Sequence, residues 1–179
     1  IMASENRIAA FKAINKAIAL SETVTEKEQA YILALSSRYD GNPESNRDPL
    51  DIAYANAMEK LSKKFPDDND AASLFAEALM NTMPWNYWAE DGDPKPDTVK
   101  VIDSLEYVLT KNPNHPLAIH LYIHAVEASS NPGRAEGPAD RLGKLVPGAG
   151  HLVHMPAHIY WRVGRYHDAS LVNIEAAKV

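Results

Sequence analysis

Seven histidines lie between residues 115 and 167, and the first 114 of the 179 residues contain none. One spacing occurs twice, because His124 comes four positions after His120 and His158 comes four positions after His154. Residues four apart lie on the same face of an α-helix, so each pair can offer two imidazole nitrogens to one ion or ligand. The chemistry that this spacing predicts is coordination of a metal or proton transfer by imidazole.

A carboxylate accompanies the histidines. At about 100° per residue, Glu127 falls on the same helical stripe as His120 and His124, and His151 joins the second pair. Imidazole nitrogens with a carboxylate are a typical donor set for a divalent transition metal such as zinc. The predicted metal ligands are His120, His124, His154, His158 and Glu127. Neither pair is a metalloprotease motif, because Leu121 and Met155 stand where His-Glu-x-x-His has its glutamate.

Three interpretations of the histidines stay open. Buried imidazoles often only donate hydrogen bonds to carbonyl oxygens, and Pro156 leaves a carbonyl near Leu152 free for such a bond. The other two interpretations are a metal site and a metal-free ligand or catalytic pocket. His115 and His167 lie off the stripe, so we expect them at the surface.

The composition narrows the class of protein. The net charge is −6 and no basic patch stands out, which argues against a nucleic-acid partner. Cysteine is absent, so disulfides and thiolate metal sites are excluded and any metal takes nitrogen and oxygen ligands. No run of 18 apolar residues occurs, so we expect no membrane span.

The sequence leaves the compartment open. No basic segment followed by an apolar one opens the chain, which favours the cytoplasm. The chain begins with Ile1 rather than methionine. We therefore expect a piece of a longer protein, with any N-terminal targeting signal outside this sequence.

Amphipathic helices separated by proline, glycine and asparagine must position the histidines. Thr25 with Glu28 predicts a capping box, and Asn114 before Pro116 predicts an N-cap. The pattern predicts nine helices, at about residues 4–20, 25–39, 48–65, 69–80, 98–111, 116–129, 132–145, 151–163 and 166–179.

Prolines give these helices a period. Pro113 and Pro147 each close a helix and lie 34 residues apart, and Pro66 lies 47 residues before Pro113. The excess of 13 matches one insertion at 83–96, MPWNYWAEDGDPKP. Counted from these prolines, the two histidine pairs occupy the same positions, 7 and 11 residues on. The same alignment brings six apolar residues into two registers: Met58, Leu105 and Ala139, and then Leu61, Val108 and Leu142.

The last period resembles a known repeat. Residues 163–166, VGRY, followed by Ala169 and Ala176, resemble the Gly-x-Tyr-x-x-Ala turn and second helix of the tetratricopeptide repeat. The stretch 150–166, GHLVHMPAHIYWRVGRY, with IHAVEAS upstream, also resembles a group of uncharacterised bacterial tetratricopeptide-repeat proteins. The resemblance covers about residues 25–179.

This resemblance implies an all-α, right-handed helical-repeat solenoid of about nine antiparallel helices. A single array would span residues 1–179. It would begin with a leading helix at 4–20 and carry a loop insertion at 83–96. Its four repeat units would lie at about 25–66, 68–113, 114–147 and 148–179. Solenoids need capped ends, and no polar capping helix follows the last unit. The uncapped C-terminal end is therefore a candidate for self-association.

The resemblance also implies a function. First helices of tetratricopeptide repeats line a concave groove, so the histidine stripe would face that groove. We expect a binding or scaffold module that holds a peptide or small-molecule ligand there. The predicted groove residues are His120, His124, Glu127, His151, His154, His158, Trp161, Arg162 and Glu77.

The alternative is a metal-binding protein or a metal-dependent enzyme that uses the two histidine pairs. Binding is favoured over catalysis because the expected groove is polar and because repeats of this kind commonly bind partners. The sequence has no Gly-rich phosphate loop, no Gly-x-Ser-x-Gly and no cysteine nucleophile, so an enzyme here would have to work through histidine, glutamate and a metal-bound water. We expect the four paired histidines to converge on one cavity, with Glu127, His151 or Glu77 at its edge. The aromatic residues of the insertion, Trp85, Tyr87 and Trp88, either pack on a helix or form a lid on the groove.

Overall fold

The predicted all-α class is confirmed. A computed structural model describes residues 4–179, and within that range it has helices and no strand. The α-helices are α1 (Ser4–Leu20), α2 (Glu26–Ser36), α3 (Arg47–Lys64), α4 (Asn69–Asn81), α5 (Pro96–Lys111), α6 (Pro116–Val126), α7 (Glu136–Leu145), α8 (Gly150–His154), α9 (Pro156–Arg162) and α10 (Tyr166–Ala176). Short 3-10 helices cover Ser21–Thr23 and Pro132–Ala135.

The described chain divides into two compact units. The first ends at Met83 and holds α1 to α4, and the second begins at Pro84 and holds α5 to α10. The boundary falls at the start of the insertion inferred from the sequence. All the histidines therefore belong to the second unit.

Helices of the first unit pack in chain order, α1 on α2, α2 on α3 and α3 on α4. Met58 and Leu61 of α3 are buried, together with Ala71 and Ala76 of α4. The predicted capping box at Thr25 is confirmed, because its side chain and that of Glu28 each accept a hydrogen bond from the other residue's backbone.

The second unit continues the same pattern of neighbours. Helix α5 packs on α6, α6 on α7, α7 on α8 and α9, and both of these on α10. The proline alignment placed apolar residues of successive repeats at equivalent positions. Those that lie in the second unit are all buried: Leu105, Val108, Ala139 and Leu142. Burial of these side chains supplies the apolar core on which the histidine-bearing helices rest.

Two helix predictions need correction. The predicted helix at 151–163 is broken into α8 and α9 around Met155, because Pro156 has no N–H and cannot continue the hydrogen-bond ladder. Helix α6 is capped by His115 rather than by Asn114. The Nδ1 atom of His115 accepts a hydrogen bond from the backbone amide of Ala118 at 3.2 Å.

The same cap overturns the surface position predicted for His115, which is buried with 7% of its surface exposed. The matching prediction for His167 is confirmed, since that residue is exposed. In the described part of the chain, no helix has both the length and the apolar character to cross a membrane.

Candidate metal and ligand site

Five histidines of α6, α8 and α9, together with the residue that caps the C-terminus of α6, form what we call the histidine cluster. Its members are His120, His124 and Glu127, then His151, His154 and His158. The opposite sides of α6 are filled by buried apolar residues such as Ile119 and Ile123. The polar stripe is therefore left half-buried, with His151 alone of the six exposed.

Glu127 joins two helices at the centre of the cluster. Its Oε1 lies 3.0 Å from Nδ1 of His124, and its Oε2 lies 2.7 Å from Nδ1 of His158. Burial would raise the pKa of Glu127, but hydrogen bonds from the two imidazoles outweigh it and lower the pKa to about 2. The ionised carboxylate can only accept, so both rings donate from Nδ1.

The Nε2 atoms of the cluster meet in pairs. Nε2 of His120 lies 3.2 Å from Nε2 of His151, and Nε2 of His154 lies 3.0 Å from Nε2 of His158. The two pairs are linked through His124, whose ring centroid lies 5.0 Å from that of His120 and 5.2 Å from that of His158. The predicted stripe is thus one connected set of side chains.

Two of the imidazoles are held in the uncharged form. Burial and the charges of neighbouring histidines lower the pKa of His120 to about 4. Burial and the same kind of repulsion lower the pKa of His151. At neutral pH these rings each keep one nitrogen lone pair, which is the form that binds a metal.

Two groups of three residues in the described chain could hold a metal ion, because their donor atoms all lie within 4.8 Å of one another. The groups share His124, and their members are His120, His124 and His151, and His124, Glu127 and His158. His151, predicted as a groove residue rather than a ligand, belongs to the first group. His154, predicted as a ligand, belongs to neither.

A cavity of about 390 Å³ opens beside the second pair. His154, His158 and Glu127 line it together with Trp161 and Arg162. His120 and His124 do not line this cavity. The four paired histidines are therefore in contact with one another, but the cavity is lined by one pair and not by both.

Glu77 lies on α4 in the first unit, where its Oε1 accepts a hydrogen bond from the side-chain amide of Asn81 at 2.8 Å. It belongs to neither group of potential metal ligands.

The aromatic side chains of the insertion differ in their surroundings. Tyr87 is buried, and Trp88 donates a hydrogen bond from Nε1 to the carbonyl of Ala125 at 2.9 Å. Trp85 is exposed and meets His124 edge-to-face, with ring centroids 5.2 Å apart. Its backbone has φ 61°, a left-handed conformation that costs energy for a bulky residue.

Sequence reasoning missed Asn173 of α10. Its Oδ1 lies 2.6 Å from Nδ1 of His154, and it also lines the cavity. Asparagine on the last helix has no spacing that relates it to the histidine stripe. Only the packing of α10 on α8 reveals the contact.

A second and larger cavity of about 640 Å³ lies elsewhere in the second unit. It is lined mainly by α7 and α10, with Val153 and Tyr160 from the helices between them. No member of the histidine cluster lines it. Arg165 at its edge pairs with Glu136, Asp140 and Asp168.

Comparison with known proteins gave no match, either to a family model or to a curated protein or solved structure.

Proposed function

We propose that the second unit binds a divalent transition metal ion, such as zinc, on its histidine cluster. The observation that carries this proposal is that two groups of three residues, which share His124, each bring their donor atoms within 4.8 Å of one another. Three or four such donors are what zinc sites in proteins use. The imidazoles with one carboxylate suit zinc, copper, nickel or iron better than calcium or magnesium, which prefer oxygen.

Orientation of the rings supports a metal over simple packing. A histidine that only stabilises a core needs one or two hydrogen-bond partners, and most find a backbone carbonyl. Here the rings face one another, while Glu127 holds two of them from behind. An acceptor behind an imidazole is the usual second layer of a metal site, because it fixes the ring and its tautomer.

We further propose that the metal is carried by a scaffold of tetratricopeptide-like repeats. Gly164 supports this, because it takes φ 83° in the turn where the repeat has its glycine. Ala169, the small residue expected in the second helix, is buried. The chain-order packing of α5 to α10 also fits stacked helical pairs.

A second candidate function is the binding of a small ligand or peptide in the 390 Å³ cavity. The observation in its favour is Trp161, which is 65% exposed beside Arg162 in the cavity wall. An aromatic face and a guanidinium are common anchors for an acidic or planar ligand.

A metal with an open position beside such a cavity is also what a hydrolytic metal enzyme requires.

Metal analysis of the chain, purified without a histidine tag, tests the first proposal. After removal of metal with a chelator and reloading with zinc, the protein should retain stoichiometric zinc through gel filtration. His124→Gln should reduce the retained zinc, because both groups of ligands include His124. His167→Gln is the matched control, since this exposed histidine lies outside the cluster. No retained zinc, copper or nickel in the wild-type protein would refute the proposal.

A further inference from the structure

We propose that the cluster holds two cations and not one, the second lying between Nε2 of His154 and Nε2 of His158. This inference rests on the proposed metal binding and specifies where a second ion binds. His154 was expected to be a ligand from its spacing, yet it belongs to neither three-residue group. The contacts of His154 with Asn173 and His158 indicate that it binds a different ion.

The partner of His158 fixes its tautomer. Oε2 of Glu127 lies 2.7 Å from Nδ1, a length typical of a hydrogen bond to a charged acceptor. A carboxylate has no proton to give, so the proton lies on Nδ1 of the imidazole. An uncharged ring carries one N–H, which leaves Nε2 of His158 with a bare lone pair.

The partner of His154 fixes its tautomer in the same sense. Oδ1 of Asn173 lies 2.6 Å from Nδ1, and an amide oxygen only accepts. In the uncharged form of the ring, the single proton therefore also lies on Nδ1, and Nε2 of His154 keeps a lone pair.

These two lone pairs face each other. The Nε2 atoms are 3.0 Å apart. When both rings are uncharged and carry their proton on Nδ1, neither Nε2 has a proton to donate to the other. Such an arrangement is repulsive unless a positive charge lies between the nitrogens. Nitrogens bound to one ion at 2.0–2.1 Å, with angles of 90–110°, lie about 2.9–3.4 Å apart. The observed separation matches that range.

One ion cannot serve the whole cluster. Donor atoms on a single ion lie at most about 4.2 Å apart, twice the metal–nitrogen bond length. In the described chain, no group of three or more donors within 4.8 Å joins His154 to His120 or His151. The first ion is placed among His120, His124 and His151. His158 also groups with His124 and Glu127, but its Nδ1 is held by Glu127, so its free Nε2 faces His154 and the second ion is placed there.

Glu127 then has one role toward both ions. It accepts hydrogen bonds from Nδ1 of His124 and Nδ1 of His158 and lies behind both rings. A ligating histidine commonly has a carboxylate in that position. On the open side, the 390 Å³ cavity leaves room for water or a small anion to complete the coordination of the second ion.

Zinc stoichiometry tests the inference on the intact chain. We expect two equivalents for wild type and for His167→Gln, and one each for His154→Gln and His120→Gln. Asn173→Asp should keep two equivalents, because an aspartate oxygen still accepts from Nδ1. One wild-type equivalent that His154→Gln leaves unchanged overturns the second ion alone. No bound zinc refutes the proposed function itself.

Nitrogen NMR of the metal-free wild-type protein gives a second test that needs no variant. Long-range coupling patterns distinguish imidazole tautomers, and both His154 and His158 should carry their proton on Nδ1. Added zinc should then shift Nε2 of both rings. A proton on Nε2 of either ring overturns the inference, because the pair would then be joined by an ordinary hydrogen bond.

Discussion

Glu127 decides the chemistry of the cluster at the scale of single residues. Its two oxygens accept hydrogen bonds from imidazoles of α6 and α9, and its side chain is only 14% exposed. Both rings therefore present Nε2 away from the carboxylate. The orientation of His124 and His158 toward metal depends on this one side chain.

Glu127→Gln should weaken metal binding without removing an equivalent. An amide can accept from one ring, but its NH₂ group faces the other ring, so one histidine must change tautomer. Loss of such a second-layer partner reduces metal affinity roughly 10–100-fold. Calorimetry should show this loss with the stoichiometry kept. Glu175→Gln is the control, as its carboxylate pairs with Lys178 and is not part of the histidine cluster. Equal affinities for the two variants would contradict the role given to Glu127.

His120 makes the stability of the metal-free protein depend on pH. Its pKa is about 4 in the folded chain, below the 6.5 of a free imidazole, because the ring is buried among other histidines. Between these values the unfolded chain binds the proton and the folded chain does not. The free energy of unfolding should therefore be full above pH 6.5 and fall as the pH is lowered toward 4.

Urea titrations at several pH values check this window. His120→Gln should flatten the decline between pH 6.5 and 4, while His167→Gln should leave it unchanged. Glu127 acts in a lower window, since its pKa is lowered from 4.5 to about 2 and its contribution is lost only below pH 4.5. A wild-type profile that is flat from pH 6.5 to 4 would count against the burial of an uncharged His120.

At the scale of helices, the proline spacing predicted which segments meet. Equivalent positions after Pro113 and Pro147 place the two histidine pairs on α6 and on α8 with α9, and these helices do bring the pairs together. The sequence could not predict Asn173, because its contact with His154 depends on how α10 packs against α8. The break at Met155 was foreseeable from Pro156, whereas the 3-10 turn at Pro132–Ala135 had no separate signal.

The turn before α10 should depend on glycine. Gly164 has φ 83°, and a Cβ there would meet nothing within 4 Å, so only the backbone conformation opposes a side chain. Gly164→Ala should lower the free energy of unfolding by about 1–2 kcal/mol, the cost of a left-handed residue. Gly148→Ala is the matched control, because it also has open space but lacks a positive φ. Equal stabilities in urea would contradict this account of the turn.

At the scale of the whole molecule, the chemistry is confined to one of two units. The first unit lies wholly within the first 114 residues, which contain no histidine. The aromatic insertion lies just after the boundary and sends Trp85 to His124. The sequence left two alternatives for these aromatic residues, packing on a helix or forming a lid on the groove. It could not decide between them, because aromatic residues in a loop pack wherever apolar surface is near.

Metal should stabilise the molecule by mass action. An ion that binds only the folded chain adds about 2.7 kcal/mol to the free energy of unfolding when its concentration is 100 times Kd. Zinc should therefore raise Tm in a concentration-dependent way, and a chelator should reverse the rise. His124→Gln should show a smaller rise than His167→Gln. A Tm that is independent of zinc would contradict binding to the folded state.

The most direct measurement is anomalous diffraction at the zinc edge from crystals of the zinc-loaded chain. It locates each ion without reference to affinity or to the folding of variants. We predict two anomalous peaks in the second unit, one about 2.0–2.1 Å from nitrogens of His120, His124 and His151, and one at the same distance from Nε2 of His154 and His158. Crystals of zinc-loaded protein with no anomalous peak at the histidine cluster would contradict the account.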